Sequence, residues 1–277
     1  MKNMTNNMMK VLVACCVALC LVGGHIAFAD ESIVIKGSTT VLPVAQVTAE
    51  AYMKAHPGVN ISLSGGGSGN GIKALIDGST DIANASRFIK DKEVKLAQGK
   101  GIYPVPHRIA IDAIVPIVHV DNPVADLSAE QLSLIYQGKI KNWKEVGGND
   151  LKIVVVSRDT SSGTYEVWEE KVLHKAKVTP RAQLQASNGA VIQTVSKNRY
   201  AIGYIGLGYL NKSVRALTVG GTEATVATAL SGAYPVARPL FMFTNGWPRG
   251  TVSDFINFVV STEGQALVRK EGFVPLF

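Results

Sequence analysis

Hydroxyls and guanidinium groups gather in four short polar stretches of this chain. They are "KGSTTV" with Ser38, Thr39 and Thr40; "GGGSGNG" with Ser68; "NASR" with Ser86 and Arg87; and "SRDTSSGTY" with Arg158, Ser161, Ser162, Gly163 and Thr164. Ser and Thr hydroxyls can donate one hydrogen bond each, and a guanidinium offers a rigid, charged fork of donors. Each stretch follows an apolar run that reads as a strand, and three of them open a segment of helical spacing. Helix N-termini add unsatisfied N–H groups and a partial positive charge at the same place. The sum is a donor-rich site suited to a tetrahedral oxyanion. Any one of these stretches could be an ordinary helix cap. Four at equivalent strand ends, two carrying Arg, exceed what capping requires.

Other chemistries fit less well. No Gly-Lys-Ser/Thr follows the glycines, since Ile72 precedes Lys73, so the run is not a nucleotide phosphate loop. "GNGIKA" at Gly69–Ala74 matches the weak Gly-x-Gly-x-x-Ala dinucleotide pattern, but the match is short. There is no Gly-x-Ser-x-Gly elbow, and His56, His107, His119 and His174 are scattered without metal spacing. Glu166, Glu169 and Glu170 read as the solvated face of a helix. No metal or cofactor is required, and the chain reads as a non-enzyme.

The elements that must hold these loops alternate strand and helix. "SIVIKG" and "VNISLS" read as strands, with "TTVLPVAQVTAEAYMKAHP" as a helix between them that Pro57 and Gly58 end. "GIKALIDG" is the next helix and "TDIANAS" a third short strand. "RIAIDAIVPIVHV" reads as two strand segments interrupted by Pro116 and crossing between domains. "SAEQLSLIYQG" is a helix capped by Ser128 and ended at Gly138. "KIVVVSRD" and "YAIGYIG" are buried strands, and "RPLFMFTNG" is an extended return segment. The closing helices, "TVSDFINFVV" and "TEGQALVRKEG", are expected to pack back on the first domain. This α/β alternation predicts two lobes, each a mainly parallel sheet flanked by helices, joined by two crossing segments. Residues 30–112 with 240–277 form the first lobe and 113–239 the second.

The 277 residues, nearly half of them apolar, can build such a core, and the net charge of +7 comes without a basic run or aromatic-basic stripe. That disfavours nucleic acid and favours an anionic ligand. The N-terminus has a basic start, an apolar stretch "VLVACCVALCLVGG" and "AFA" before Asp30, the layout of a secretory signal cleaved after Ala29. Cleavage leaves a charge of +5 and no cysteine, because Cys15, Cys16 and Cys20 all lie in the apolar stretch. "LVAC" at Leu12–Cys15 is a competing lipoprotein box, placed before most of that stretch.

"GSTTVLPV", "GGGSGNGIKAL", "DIANASR", "AIDAIVPIV", "LSAEQLSLIYQGKIKNWKEVGG", "RDTSSGTYEVW" and "AIGYIGLGYL" together resemble the substrate-binding proteins of phosphate ABC transporters, over nearly the whole chain after residue 29. The resemblance implies the two-lobed periplasmic-binding-protein fold. It implies an extracytoplasmic monomer that holds inorganic phosphate between the lobes and delivers it to a membrane permease. By motif, Thr39, Thr40 and Ser68 would hold phosphate from the first lobe, with Ser38, Ser86 and Arg87 beside them. Arg158, Ser162, Gly163 and Thr164 would hold it from the second. Many family members carry Ser-Asp where this chain has Ser86-Arg87, and that Asp accepts the proton of hydrogen phosphate. Arg87 has only donors. Asp81, Asp91 and Asp159 are the nearest acids in sequence to act as acceptor or as partner of Arg87. Sulfate or molybdate is the competing ligand, and a phosphatase or adhesion role on the same fold is a third class.

Overall fold

The computed structural model describes residues 31–277; the stretch read as a signal sequence, with its three cysteines, lies outside the described residues. The chain begins with β1 (Glu31–Gly37), whose Ile33 and Ile35 are buried on alternate positions. Helix α1 (Leu42–Ala55) follows and buries Val44, Ala45, Thr48, Ala49 and Tyr52, the spacing of one helical face. Next come β2 (Val59–Gly65), α2 (Ser68–Ile76), β3 (Ile82–Ala85) and α3 (Asp91–Gln98). Strands β2, β1 and β3 pair in parallel in that order.

Helix α2 begins three residues earlier than the sequence suggests, inside the glycine run. The reason is packing. A Cβ on Gly71 would sit 2.6 Å from the Gly37 Cα and 2.7 Å from the Lys36 oxygen, so only glycine lets this helix lie directly on β1.

Strand β4 (Pro104–Val118) is the long connector. The expected interruption at Pro116 does not occur: β4 is one continuous strand of 15 residues with two sets of partners. Its first part pairs antiparallel with β11 (Ala237–Asn245), and Ile114–Val118 pair antiparallel with β8 (Ala201–Gly206). The Pro116 oxygen accepts from the Leu217 N–H, on the side where β9 (Arg215–Ala216) pairs only with Ile117 and Val118. In an antiparallel strand a residue's N and O face the same neighbour, so the missing donor falls just beyond the β9 ladder and breaks no pair.

After β4 come the short β5 (Asp126–Leu127) and α4 (Ala129–Tyr136), which is capped by the Ser128 hydroxyl as expected. Strand β6 (Val154–Arg158), α5 (Gly163–Lys171), β7 (Gln183–Gln185) and α6 (Asn188–Ser196) follow. β8, β6 and β7 pair in parallel. The short β10 (Thr218–Val219) pairs with β5, and α7 (Val226–Leu230) leads toward β11. The main sheet thus runs β2-β1-β3-β11-β4-β8-β6-β7: two parallel triplets joined through two antiparallel strands.

The cores divide along the same line. One apolar cluster draws almost wholly on Ala113 to Val236. A second joins β1, α1 and the end of the chain, where α8 (Gly250–Val260) and α9 (Thr262–Lys270) contribute Phe255, Ile256, Val259 and Val268. A third lies under α2 and α3 on the other face of β3 and β11. The terminal helices therefore pack on the N-terminal half, and the chain crosses between halves on β4 and β11.

Candidate functional site

The four polar stretches all leave the carboxyl ends of parallel strands, β1, β2, β3 and β6, and they meet where the two halves face each other. Ser38, Thr39, Thr40, Ser68, Ser86, Ser162 and Thr164 are all buried. The Ser38 hydroxyl accepts from the Thr40 N–H (3.1 Å), turning the loop before α1. The Ser68 hydroxyl accepts from the Ser86 N–H (3.0 Å) and lies 3.3 Å from the Ser86 hydroxyl. Ser162 caps α5 by accepting from the Tyr165 N–H (3.3 Å).

Contacts across the cleft are direct. The Thr40 and Thr164 hydroxyls are 2.9 Å apart, and Arg158 Nη2 donates to Thr39 Oγ1 at 3.2 Å. The Gly69 N–H donates to the Ser161 oxygen at 2.9 Å. A Cβ on Gly163 would lie 2.4 Å from the Ser68 hydroxyl oxygen and 2.8 Å from that of Ser86, so the bare Cα of Gly163 is what allows α5 to approach so closely. The N-termini of α2, α5 and α6 open at this cluster, each carrying the partial positive charge of a helix start.

Three polar residues join the cluster that the sequence reading did not single out. Asn188, at the start of α6, donates to the Thr39 and Thr40 hydroxyls (3.4 and 3.2 Å) and accepts from the Gly206 N–H. Arg238 Nη2 donates to Thr164 Oγ1 (2.9 Å) and Thr40 Oγ1 (3.3 Å), and its Nη1 donates to the Ser86 oxygen (3.0 Å). Asp112 accepts from Arg238 Nε and Nη2 at 3.2 and 2.9 Å. The signal for the last two was present: "AIDAIV" and "VARPL" each embed a single charge in an apolar run. A charge there must find a partner or a ligand.

Burial pushes the Asp112 carboxyl up, while Arg238 and the backbone N–H of Leu207 pull it down. Burial likewise pushes the Arg238 and Arg158 guanidinium groups down. The two arginines differ in compensation. Arg238 has a buried carboxylate, whereas Arg158, 1% exposed, has no carboxylate within salt-bridge distance among the described residues. Arg158 donates instead to the Gln185 and Ala186 oxygens and to Thr39, and its Nη1 has no partner among the described residues.

Arg87 departs from expectation. Its guanidinium forks onto Glu93 (2.8 and 2.7 Å), Nη1 also donates to the Phe88 oxygen, and Nε pairs with Glu166 at 2.9 Å. Of its five N–H groups, Nε is ion-paired with Glu166 without a hydrogen bond and one on Nη2 is uncommitted; the rest go to Glu93 and the Phe88 oxygen. The structure therefore gives Arg87 to two carboxylates at the edge of the cluster rather than to its centre. Neither acid was among the expected partners. Asp81 accepts from the Val34 N–H, Asp159 from the Ser161 N–H, and Asp91 sits in the first turn of α3. Glu166 is not a solvated residue: its side chain is 15% exposed and bridges Arg87 and Lys90. Glu93 is held below its ordinary range although burial opposes this, because the Arg87 fork and the Lys90 N–H favour its charged form.

A chain with this frame and this site can be compared with known proteins in sequence and in fold. Residues 25–263 match the PBP superfamily domain. The phosphate-binding protein PstS of Staphylococcus epidermidis is 37% identical over 245 residues, 83% of this chain and 75% of that protein. The chain belongs to the PstS family of phosphate-binding proteins. Among solved structures, one described as a phosphate ABC transporter substrate-binding protein with bound phosphate from Clostridium perfringens is 40% identical. It superposes with a TM-score of 0.83, covering 89% of this chain and 100% of that one. An ABC-type phosphate transport receptor from Vibrio cholerae is 33% identical, with a TM-score of 0.72 over 87% of this chain and 99% of that one. The two-lobed fold of this family is the architecture described above, and these relatives are binding and transport proteins.

Proposed function

We propose that this chain captures inorganic phosphate between its two lobes and delivers it to the membrane permease of an ABC importer, acting as an exported monomer without catalytic activity. The observation that carries the reading is Arg158. A fully buried guanidinium with no carboxylate partner costs several kcal/mol unless an anion joins it. The groups around it are donors: the hydroxyls of Ser38, Thr39, Thr40, Ser68, Ser86, Ser162 and Thr164, the backbone of Gly163, the Asn188 amide and three helix starts. This donor set matches four oxygens around a small centre. The residue pairs that hydrogen-bond within it hold no histidine, and its one carboxylate is occupied by Arg238 and the Leu207 N–H, which argues against acid–base catalysis. The division of the apolar clusters supports lobes of residues 30–112 with 240–277 and of 113–239.

The deciding experiment is calorimetric titration of purified residues 30–277 with phosphate, sulfate and molybdate. Phosphate is expected to bind at one site and in preference to the others; a preference for sulfate or molybdate overturns the reading. Export is checked by the intact mass of the secreted form, expected to begin at Asp30. A lipid-modified Cys15 would instead place the protein on a membrane anchor.

A further inference from the structure

We propose that Arg238, held by Asp112, is the second guanidinium that contacts the bound anion, the place expected for Arg87; this rests on the reading of the cleft as a phosphate site. Arg238 and Asp112 stand directly opposite each other on β11 and β4, the two strands that cross between the lobes. From that position Arg238 reaches both sides of the cleft at once, donating to Thr40 from one lobe and Thr164 from the other. Both hydroxyls belong to the ring around Arg158.

The donor inventory favours Arg238 over Arg87. Asp112 takes Nε and one N–H of Nη2, and the Ser86 oxygen takes one of Nη1. One N–H on Nη2 is shared between two neutral hydroxyls, and one on Nη1 is uncommitted. Hydroxyls can rotate and yield that donor to a charged oxygen; the carboxylates that hold Arg87 cannot. Charge points the same way. Arg87 and Lys90 are balanced by Glu93 and Glu166, whereas Arg158, Arg238 and Asp112 leave a single positive charge in a buried space.

Asp112 is a positioning residue. It accepts from Arg238 Nε and Nη2 and from the Leu207 N–H (3.0 Å), so its lone pairs point at the arginine and the backbone. It aims the guanidinium and takes up part of its charge without touching the anion itself.

The test uses residues 30–277, titrated with inorganic phosphate, in a set of variants at these two positions. The neutral pair Arg238→Gln with Asp112→Asn removes both charges together, so no lone buried charge is left behind. It is expected to bind phosphate at least about 30-fold more weakly, the loss of one charge-assisted bond. Binding within about 2-fold of wild type would make Arg238 a purely structural ion pair and overturn the proposal. Should the neutral pair not fold by circular dichroism, Arg238→Lys decides. It keeps the charge and loses the fork, so a loss of about 5-fold or more supports the proposal and binding within about 2-fold overturns it. Asp112→Asn alone should weaken binding in the Arg238 background and not weaken it further beside Arg238→Gln. An equal loss in both backgrounds contradicts the positioning role. Failure of the wild type to bind any of phosphate, sulfate and molybdate would overturn the reading of the cleft itself, an outcome distinct from all of these.

Discussion

Glu166→Gln should loosen the closed protein without touching the ligand. Glu166 sits on α5, in the second lobe, and its carboxylate lies 2.9 Å from Arg87 Nε and 2.5 Å from Lys90 Nζ, both in the first lobe. At that separation and an effective dielectric constant of about 20, the attraction to Arg87 is on the order of 5 kcal/mol before costs. Desolvation offsets much of it, since the Arg87 and Glu166 side chains are only 6% and 15% exposed. A net value of about 1–2 kcal/mol is reasonable for a well-formed, partly buried pair. The substitution leaves Arg87 its fork on Glu93 and leaves the Lys90 ammonium, 42% exposed, to solvent, so no buried charge in the first lobe is orphaned and the loss is confined to the contact between lobes. An enclosed ligand can leave only when the lobes part, so the effect should appear in release. Phosphate affinity should fall about 5- to 30-fold, mainly through a faster off-rate, with the on-rate nearly unchanged. The difference from wild type should shrink at high salt, as screening weakens the exposed Lys90 arm. Stopped-flow release of phosphate at low and high salt reads both quantities. Unchanged off-rates in Glu166→Gln would show that the cluster does not hold the lobes together.

Four further outcomes follow from the same geometry. Arg158→Ala removes the uncompensated charge at the centre and should weaken phosphate binding by tens- to several-hundred-fold, about 2–4 kcal/mol, while melting close to wild type; calorimetry and a thermal melt together check it. Gly163→Ala places a methyl group 2.4 Å from the Ser68 hydroxyl oxygen, in the other lobe, and should impair closure and binding with little change in Tm. Gly71→Ala, which meets the backbone of β1, should instead lower stability by about 1–3 kcal/mol in a denaturant titration. Because Glu93 is held below its ordinary value of about 4.5, its contribution to stability is complete above that pH and is lost as pH falls through its lowered folded-state value. Acid melts of wild type and Glu93→Gln should therefore diverge above pH ~4.5 and converge below it.

Much of the frame and part of the site were legible in the sequence because their signals are local. Apolar periodicity marked the β1–α1–β2 alternation, the Ser128 cap marked α4, and hydroxyls at strand ends marked Thr39, Thr40, Ser68 and Thr164. Local backbone preference and the need to bury one face of each element decide such features. The partners of the charged side chains were not legible, since those depend on which distant segments the fold brings together. Arg238 and Asp112 are 126 positions apart and meet only through the register of β11 on β4. Arg87 looks the same in sequence whether it faces a ligand or Glu166, 79 positions later on a helix of the other lobe. The glycine run reads as a loop presenting Ser68 before a helix, yet Gly71 is explained by the distance between α2 and β1, a quantity that exists only once the helix has docked. Pro116 reads as a break, and only the position of the β9 ladder shows that its missing N–H falls where no partner stands. Sequence alone marked the hydroxyls and arginines at the strand ends; the pairing of strands and lobes decided which of the buried arginines meet carboxylates and which do not.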